Sequence, residues 1–192
     1  MATSVRKLLQ SSPIIAAVRE EHGLTTALTC PQRFVFLLST DIGTVGEQVR
    51  KAREHGKEIF VHFDLVQGLG RDSQALRWLA ETARPSGVIT TRAVMVPQAR
   101  SLGLATVLRT FLVDSQSAHA TLEQVGKVSP DLLEVMPGIA PEGIRLLASQ
   151  VSCPVIGGGL VRTIAQVRAA LAAGAAGIST SAESLWRQDL TR

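Results

Sequence analysis

Eight short apolar segments, most of them separated by helix-patterned stretches, constrain this 192-residue chain more than any other feature. They are Ile14–Val18, Phe34–Leu38, Ile59–Phe63, Val88–Thr91, Ala105–Arg109, Leu132–Met136, Val155–Gly158 and Gly177–Thr180, starting 17 to 29 residues apart. The clearest helical periodicities fall in the gaps, over Val45–His55, Ser73–Thr82, Ser117–Val125, Ile144–Gln150 and Ile164–Ala172. Strands alternating with helices pair in parallel through right-handed crossovers, and eight such units close into a barrel. An open doubly wound sheet would carry a glycine fingerprint after its first strand. Here the first strand runs into Arg19-Glu20-Glu21 instead. The expected fold is a small (β/α)8 barrel in one domain spanning residues 1–192. Its loops must be short, because the chain falls below the roughly 200–250 residues usual for this fold.

The core that fills such a barrel is aliphatic: the chain has five Phe, two Trp and no Tyr, yet is 45% hydrophobic. No apolar run approaches the roughly 18–20 residues needed to cross a bilayer. The segment Met1–Gln10 is polar and lacks the apolar stretch of a signal peptide, so a cytoplasmic protein is expected. Cys30 and Cys153 lie far apart and read as unpaired structural thiols of a reducing compartment. No Cys/His cluster has zinc-ligand spacing, and neither a metal nor a cofactor is expected.

Charge is unevenly placed. Between Val66 and Thr110 stand six arginines and only two acids, Asp72 and Glu81, which accounts for the whole formal charge of +4. Segregated positive charge favours an anionic partner, although solvated helix faces would give the same count.

In a parallel barrel the functional groups sit at the C-terminal ends of the strands. Read in order, those ends offer Arg19, Asp41, His62 and Asp64, Thr91 and Arg92, Arg109, Glu134, Gly158 and Gly159, then Ser179, Thr180 and Ser181. The last two groups are the informative ones. Loops after the seventh and eighth strands of such barrels commonly hold a phosphate on backbone N–H groups. Glycine admits the anion closely, and hydroxyls add donors. By strand alternation His62 and Asp64 share a face, as hydroxyl ligands, an acid/base pair or a structural pair. Glu134, inside Leu132-Leu133-Glu134-Val135-Met136, needs a buried partner, and Arg109 on the preceding strand is the candidate.

Two classes of function remain open on these residues. One is a binding protein for a small phosphorylated molecule. The other is an enzyme acting on a small phosphoester such as a glycerophosphodiester, with His62, Asp64 and Glu134 as acid/base groups. No lysine stands at a strand's C-terminal end, which argues against Schiff-base chemistry.

The motifs Pro13-Ile14-Ile15-Ala16-Ala17-Val18, Val61-His62-Phe63-Asp64-Leu65-Val66-Gln67-Gly68-Leu69, Arg109-Thr110-Phe111-Leu112-Val113-Asp114-Ser115 and Glu134-Val135-Met136-Pro137-Gly138-Ile139 occur in that order. Gly158-Gly159-Leu160, Ser179-Thr180-Ser181 and Leu185-Trp186 follow. Together they resemble the glycerol uptake operon antiterminator family, over roughly residues 10–187. That resemblance implies a small (β/α)8 barrel, glycerol 3-phosphate as effector, and leader mRNA as partner. It implies ligand contacts from Arg19, His62, Asp64, Arg92, Arg109, Glu134, Gly158, Gly159, Ser179 and Thr180, with no catalytic residue. Ligand binding would favour a loop arrangement, or a homo-oligomer, that binds RNA better. The surface expected to meet RNA carries Arg71, Arg77, Arg84 and Arg100. Departures from the family pattern stand at Ser39-Thr40, Leu108 and Arg92, where lysine is expected.

Overall fold

Strands made mostly of apolar residues can be buried on both faces, and this is what happens here. In the computed structural model, which describes Leu9 and residues 12–188, the eight apolar segments form a closed parallel barrel. Its strands are β1 (Ile14–Val18), β2 (Phe34–Leu37), β3 (Glu58–His62), β4 (Gly87–Thr90), β5 (Ala105–Phe111), β6 (Leu132–Met136), β7 (Val155–Gly158) and β8 (Gly177–Thr180). The barrel closes where β8 pairs with β1, Ile14 opposite Ile178 and Ile15 opposite Ser179. The polar stretch Met1–Gln10 lies, apart from Leu9, outside the described residues.

Seven helices follow the first seven strands: α1 (Glu21–Thr29), α2 (Val45–Glu54), α3 (Ser73–Trp78), α4 (Met95–Ser101), α5 (Ser115–Val128), α6 (Pro141–Ala148) and α7 (Ile164–Ala172). After β8 comes a single 3-10 turn, Glu183–Leu185. Trp186 follows it, its ring buried and its Nε1 donating to Thr180 O at 2.8 Å.

Alternation along the strands sorts the core into two sets. Ile15, Phe34, Phe36, Phe60, Ile89, Val107, Leu132 and Ile156 pack together inside the barrel. Their intervening neighbours, such as Ile14, Val35, Ile59, Val61 and Leu133, pack outward with the helices. Phe60 lies with its ring centroid 6.0 Å from that of Phe34 and 5.6 Å from that of Phe36, filling one side of the interior. The same parity turns His62, Arg109, Glu134, Gly158 and Ser179 inward, one layer nearer the C-terminal end. The barrel interior is therefore apolar below and polar at its mouth.

Several boundaries differ from the sequence reading. β3 ends at His62, and Phe63–Leu65 form a 3-10 turn, so strand alternation does not extend to Asp64. The helix expected over Ser73–Thr82 is α-helical to Trp78 and widens into a π turn over Leu79–Ala83, ending on Arg84 at φ +55°. α5 and α6 each start earlier than their apolar periodicity, because a polar capping box at Asp114 and Pro141 at the first turn define those starts. A two-stranded ribbon, Thr40–Asp41 with Val66–Gln67, bridges the loops after β2 and β3. Cys30 and Cys153 are both free thiols, and burial pushes the Cys153 thiol up to about 11, which keeps it protonated at neutral pH.

Candidate ligand-binding site

Glu134 organises the mouth of the barrel. It is fully buried, and its Oε2 accepts from Arg109 Nε at 2.7 Å while its Oε1 accepts from Ser179 Oγ at 2.5 Å. Three strands, β5, β6 and β8, are thus joined through one carboxylate. β7 runs between β6 and β8, and there Gly158 leaves room: a Cβ on it would lie 2.4 Å from Glu134 Oε1 and 2.9 Å from Ser179 Oγ. Gly158 is small because the hydrogen-bonded carboxylate passes over it.

Arg109 spends only part of its donor capacity on Glu134. Its Nη2 is buried with no hydrogen-bond partner among the described residues, and the side chain forms part of the wall of a cavity of about 740 Å³. The cavity lies over the C-terminal ends of β1, β5, β6, β7 and β8. Arg19, from the end of β1, and Arg162, from the loop after β7, put two further guanidinium groups on its wall. Gly159 completes the bend between them at φ +76°, a conformation that disfavours a Cβ. Among the described residues three arginines and no acid line the cavity, so its field suits an anion.

The hydroxyls divide into those already engaged and those open. Ser179 donates to Glu134, and Thr180 Oγ1 donates to Val161 O at 2.7 Å while accepting from Ala182 N. Ser181 and Ser184, both exposed, line the cavity as well. Thr180 therefore shapes the loop after β7, and the exposed hydroxyls of Ser181 and Ser184 stand on the cavity wall.

Other residues expected at the site have different surroundings. Asp64, in the 3-10 turn, accepts from Thr90 Oγ1 at 3.0 Å, Thr91 N at 2.7 Å and Thr91 Oγ1 at 3.1 Å, which ties the loop after β3 to the loop after β4. Arg92 is exposed, donates to Arg71 O and does not line the cavity. His62 is buried with no partner for Nδ1 among the described residues, and its pKa is lowered to about 4 by burial and then by the neighbouring Arg109 cation, against the opposing pull of Asp64. It is neutral at pH 7, a hydrogen-bonding group beside the arginine.

Arg162 and Ser184 were not among the residues read from sequence, whereas Ser181 stood in the Ser179-Thr180-Ser181 run read there as a phosphate signal. A sequence signal existed for Arg162, which stands between the Gly157-Gly158-Gly159 run and the capping pattern Thr163-x-x-Gln166; in the structure Gln166 Oε1 accepts from Arg162 N at 2.8 Å. The arginines expected to meet RNA do not share one face. Arg71 lies in the loop after β3, at the mouth, whereas Arg84 ends the π turn at the opposite end. Arg77 is on α3, and Arg100, in the last turn of α4, donates to Ser129 O at 2.9 Å. Among the described residues no group of three or more His, Cys, Asp or Glu is placed to hold a metal, and no helix is long and apolar enough to cross a membrane.

Comparisons with known proteins agree with this fold. A glycerol uptake operon antiterminator regulatory protein from Listeria monocytogenes superposes with a TM-score of 0.88 at 31% identity, covering 91% of this chain and 95% of that one. A glycerol uptake operon antiterminator-related protein from Thermotoga maritima gives 0.81 at 32% identity, covering 91% and 98%. The uncharacterized Escherichia coli protein YgcP is 33% identical over 179 residues, 93% of this chain and 94% of its own. A deoxyribose phosphate aldolase from Aeropyrum pernix, at 14% identity and a TM-score of 0.70, shares the barrel alone. Residues 14–186 match the family described as glycerol-3-phosphate responsive antiterminator, and the chain belongs to that family.

Proposed function

We propose that the chain is a cytoplasmic, non-enzymatic sensor that binds glycerol 3-phosphate at the barrel mouth and, so loaded, binds leader mRNA and prevents termination. The observation that carries the ligand half is the cavity walled by Arg19, Arg109 and Arg162 around Gly159. The phosphate would rest against Arg19, Arg162 and the Gly159 bend, with Ser181 and Ser184 adding donors. The free Nη2 of Arg109 would take a glycerol hydroxyl, with neutral His62 close behind it. Glu134, Gly158 and Ser179 hold Arg109 in place. Asp64, Thr180 and Arg92 act by shaping the loops.

A binding role is favoured over Schiff-base chemistry because no lysine among the described residues lines the cavity; Lys57 lies at the N-terminal end of β3, and Lys51 and Lys127 are on helices. Family membership supports the RNA half. Calorimetric titration with glycerol 3-phosphate, glycerol and inorganic phosphate tests the first half. Saturable binding is expected for glycerol 3-phosphate, with phosphate weaker and glycerol undetectable, and loss in Gly159→Asp. Transcription through a leader terminator, with protein and with or without glycerol 3-phosphate, tests the second. Turnover of a glycerophosphodiester by the purified protein would overturn the sensor reading.

A further inference from the structure

The end of the barrel opposite the ligand cavity carries a second charged feature. Two adjoining hollows, about 760 and 520 Å³, share Arg53 and Arg84 in their walls. They run from α2 and the end of the π turn to the N-terminal ends of β2, β3 and β4, where Arg33, Lys57 and Ser86 stand. Their walls carry five basic side chains against three carboxylates.

All three carboxylates are already paired. Glu47 meets Lys51 at 2.8 Å, Glu54 meets Arg50 at 2.6 Å, and Glu58 meets Arg33 at 3.5 Å. Lys57 points its Nζ at the carbonyls of Cys30 and Gln32. Arg53 and Arg84 are left without a carboxylate among the described residues. Arg84 is also held for presentation: it occupies a left-handed conformation, where glycine is usual, and its Nε donates to Glu81 O at 2.9 Å. That bond engages Nε, and the side chain as a whole is exposed. A side chain kept at positive φ is the kind of local cost that accompanies a used position.

We infer that this underside groove, through Arg53 and Arg84, binds the phosphodiester backbone of single-stranded RNA. The mouth is a poorer face for a polyanion. Its four exposed arginines, Arg19, Arg71, Arg92 and Arg162, stand among Glu20, Asp41, Asp72, Asp114 and Glu183. The inference rests on the RNA half of the proposed function, and places RNA and effector at opposite ends of the barrel.

The test is fluorescence anisotropy of the full chain with a 20-nucleotide oligouridine over a salt series. Variants are Arg53→Gln/Arg84→Gln and, as control, Arg145→Gln/Arg168→Gln on exposed positions of α6 and α7. Losing two phosphate contacts should make the slope of log K against log salt shallower by about 1.4, or about 25-fold weaker binding at 0.1 M salt. Thermal unfolding of both variants should match the parent, showing that the fold is kept. An unchanged slope in the groove variant, or an equal loss in the control, overturns the groove while leaving RNA binding standing. Absence of RNA binding by the parent chain, with and without glycerol 3-phosphate, overturns both the groove and the RNA reading.

Discussion

The carboxylate of Glu134 shows how much one buried charge can dictate. A carboxylate inside an apolar strand is tolerable only with its hydrogen bonds filled, and Arg109 and Ser179 fill them. This pairing was legible in the sequence, since burial demands a partner and the preceding strand supplies one. The role of Gly158 was not, because a glycine in a run of three says nothing about which neighbour needs the room. Glu134→Ala should lower stability by about 3–5 kcal/mol, the cost of leaving Arg109 buried and unpaired. Gly158→Ala should cost roughly 1–3 kcal/mol, because its Cβ would overlap the carboxylate. Urea unfolding measures both, and a Gly158→Ala protein as stable as the parent would refute this packing. His62 gives a separate prediction. Between pH 6.5 and about 4 the unfolded chain takes up a proton there that the native chain refuses. Stability therefore falls as pH drops through that window, by roughly 3 kcal/mol at most. In His62→Asn the decline from pH 7.5 to 4.5 should be smaller, and an identical decline in both proteins would count against a neutral buried His62.

At the scale of elements, strands were easier to read than helices. Most strands are dominated by apolar residues buried on both faces, a pattern that survives without homologues. α1 carries Gly23 and four threonine or histidine positions, and α4 spans seven residues with Pro97 in its first turn, so neither shows a sustained apolar period. Asp64 was read as continuing β3 because alternation gives no notice of where a strand turns into 3-10 geometry. The start of α7 links an element to the site. Thr163 Oγ1 accepts from Gln166 N at 3.3 Å, and Gln166 Oε1 accepts in return from Thr163 N and Arg162 N. Thr163→Ala should cost about 1 kcal/mol, as other lost N-caps do. Gln166→Ala does not touch the cavity, yet it frees the loop that carries Arg162. Calorimetry should therefore show weaker glycerol 3-phosphate binding in Gln166→Ala, whereas an exposed α7 change such as Arg168→Ala should leave it unaltered.

Across the whole molecule, the cavity straddles the place where the barrel closes. Arg19 reaches it from β1, the first strand, and Ser181 and Ser184 from beyond β8, the last. Helices follow β1 through β7, and among the described residues β8 is followed by a 3-10 turn and the buried Trp186. An anion gripped from both sides of this closure would act as a non-covalent clasp, adding to native stability by linkage in proportion to its occupancy. The gain should be local before it is global, since amides open in cooperative units of unequal stability. Hydrogen exchange with and without saturating glycerol 3-phosphate should therefore slow most in β1 and β8 and in the loops at 159–163 and 181–184. β3 and β4, which contribute nothing to the cavity wall, should change least. If RNA grips the N-terminal ends of β2 to β4, it should protect the complementary set, with β2 lying between the two because it pairs with β1 on one side and β3 on the other. A uniform slowing of all eight strands by the effector would mean that the closure is no weaker than the rest of the barrel, and that the ligand is felt through global stability alone.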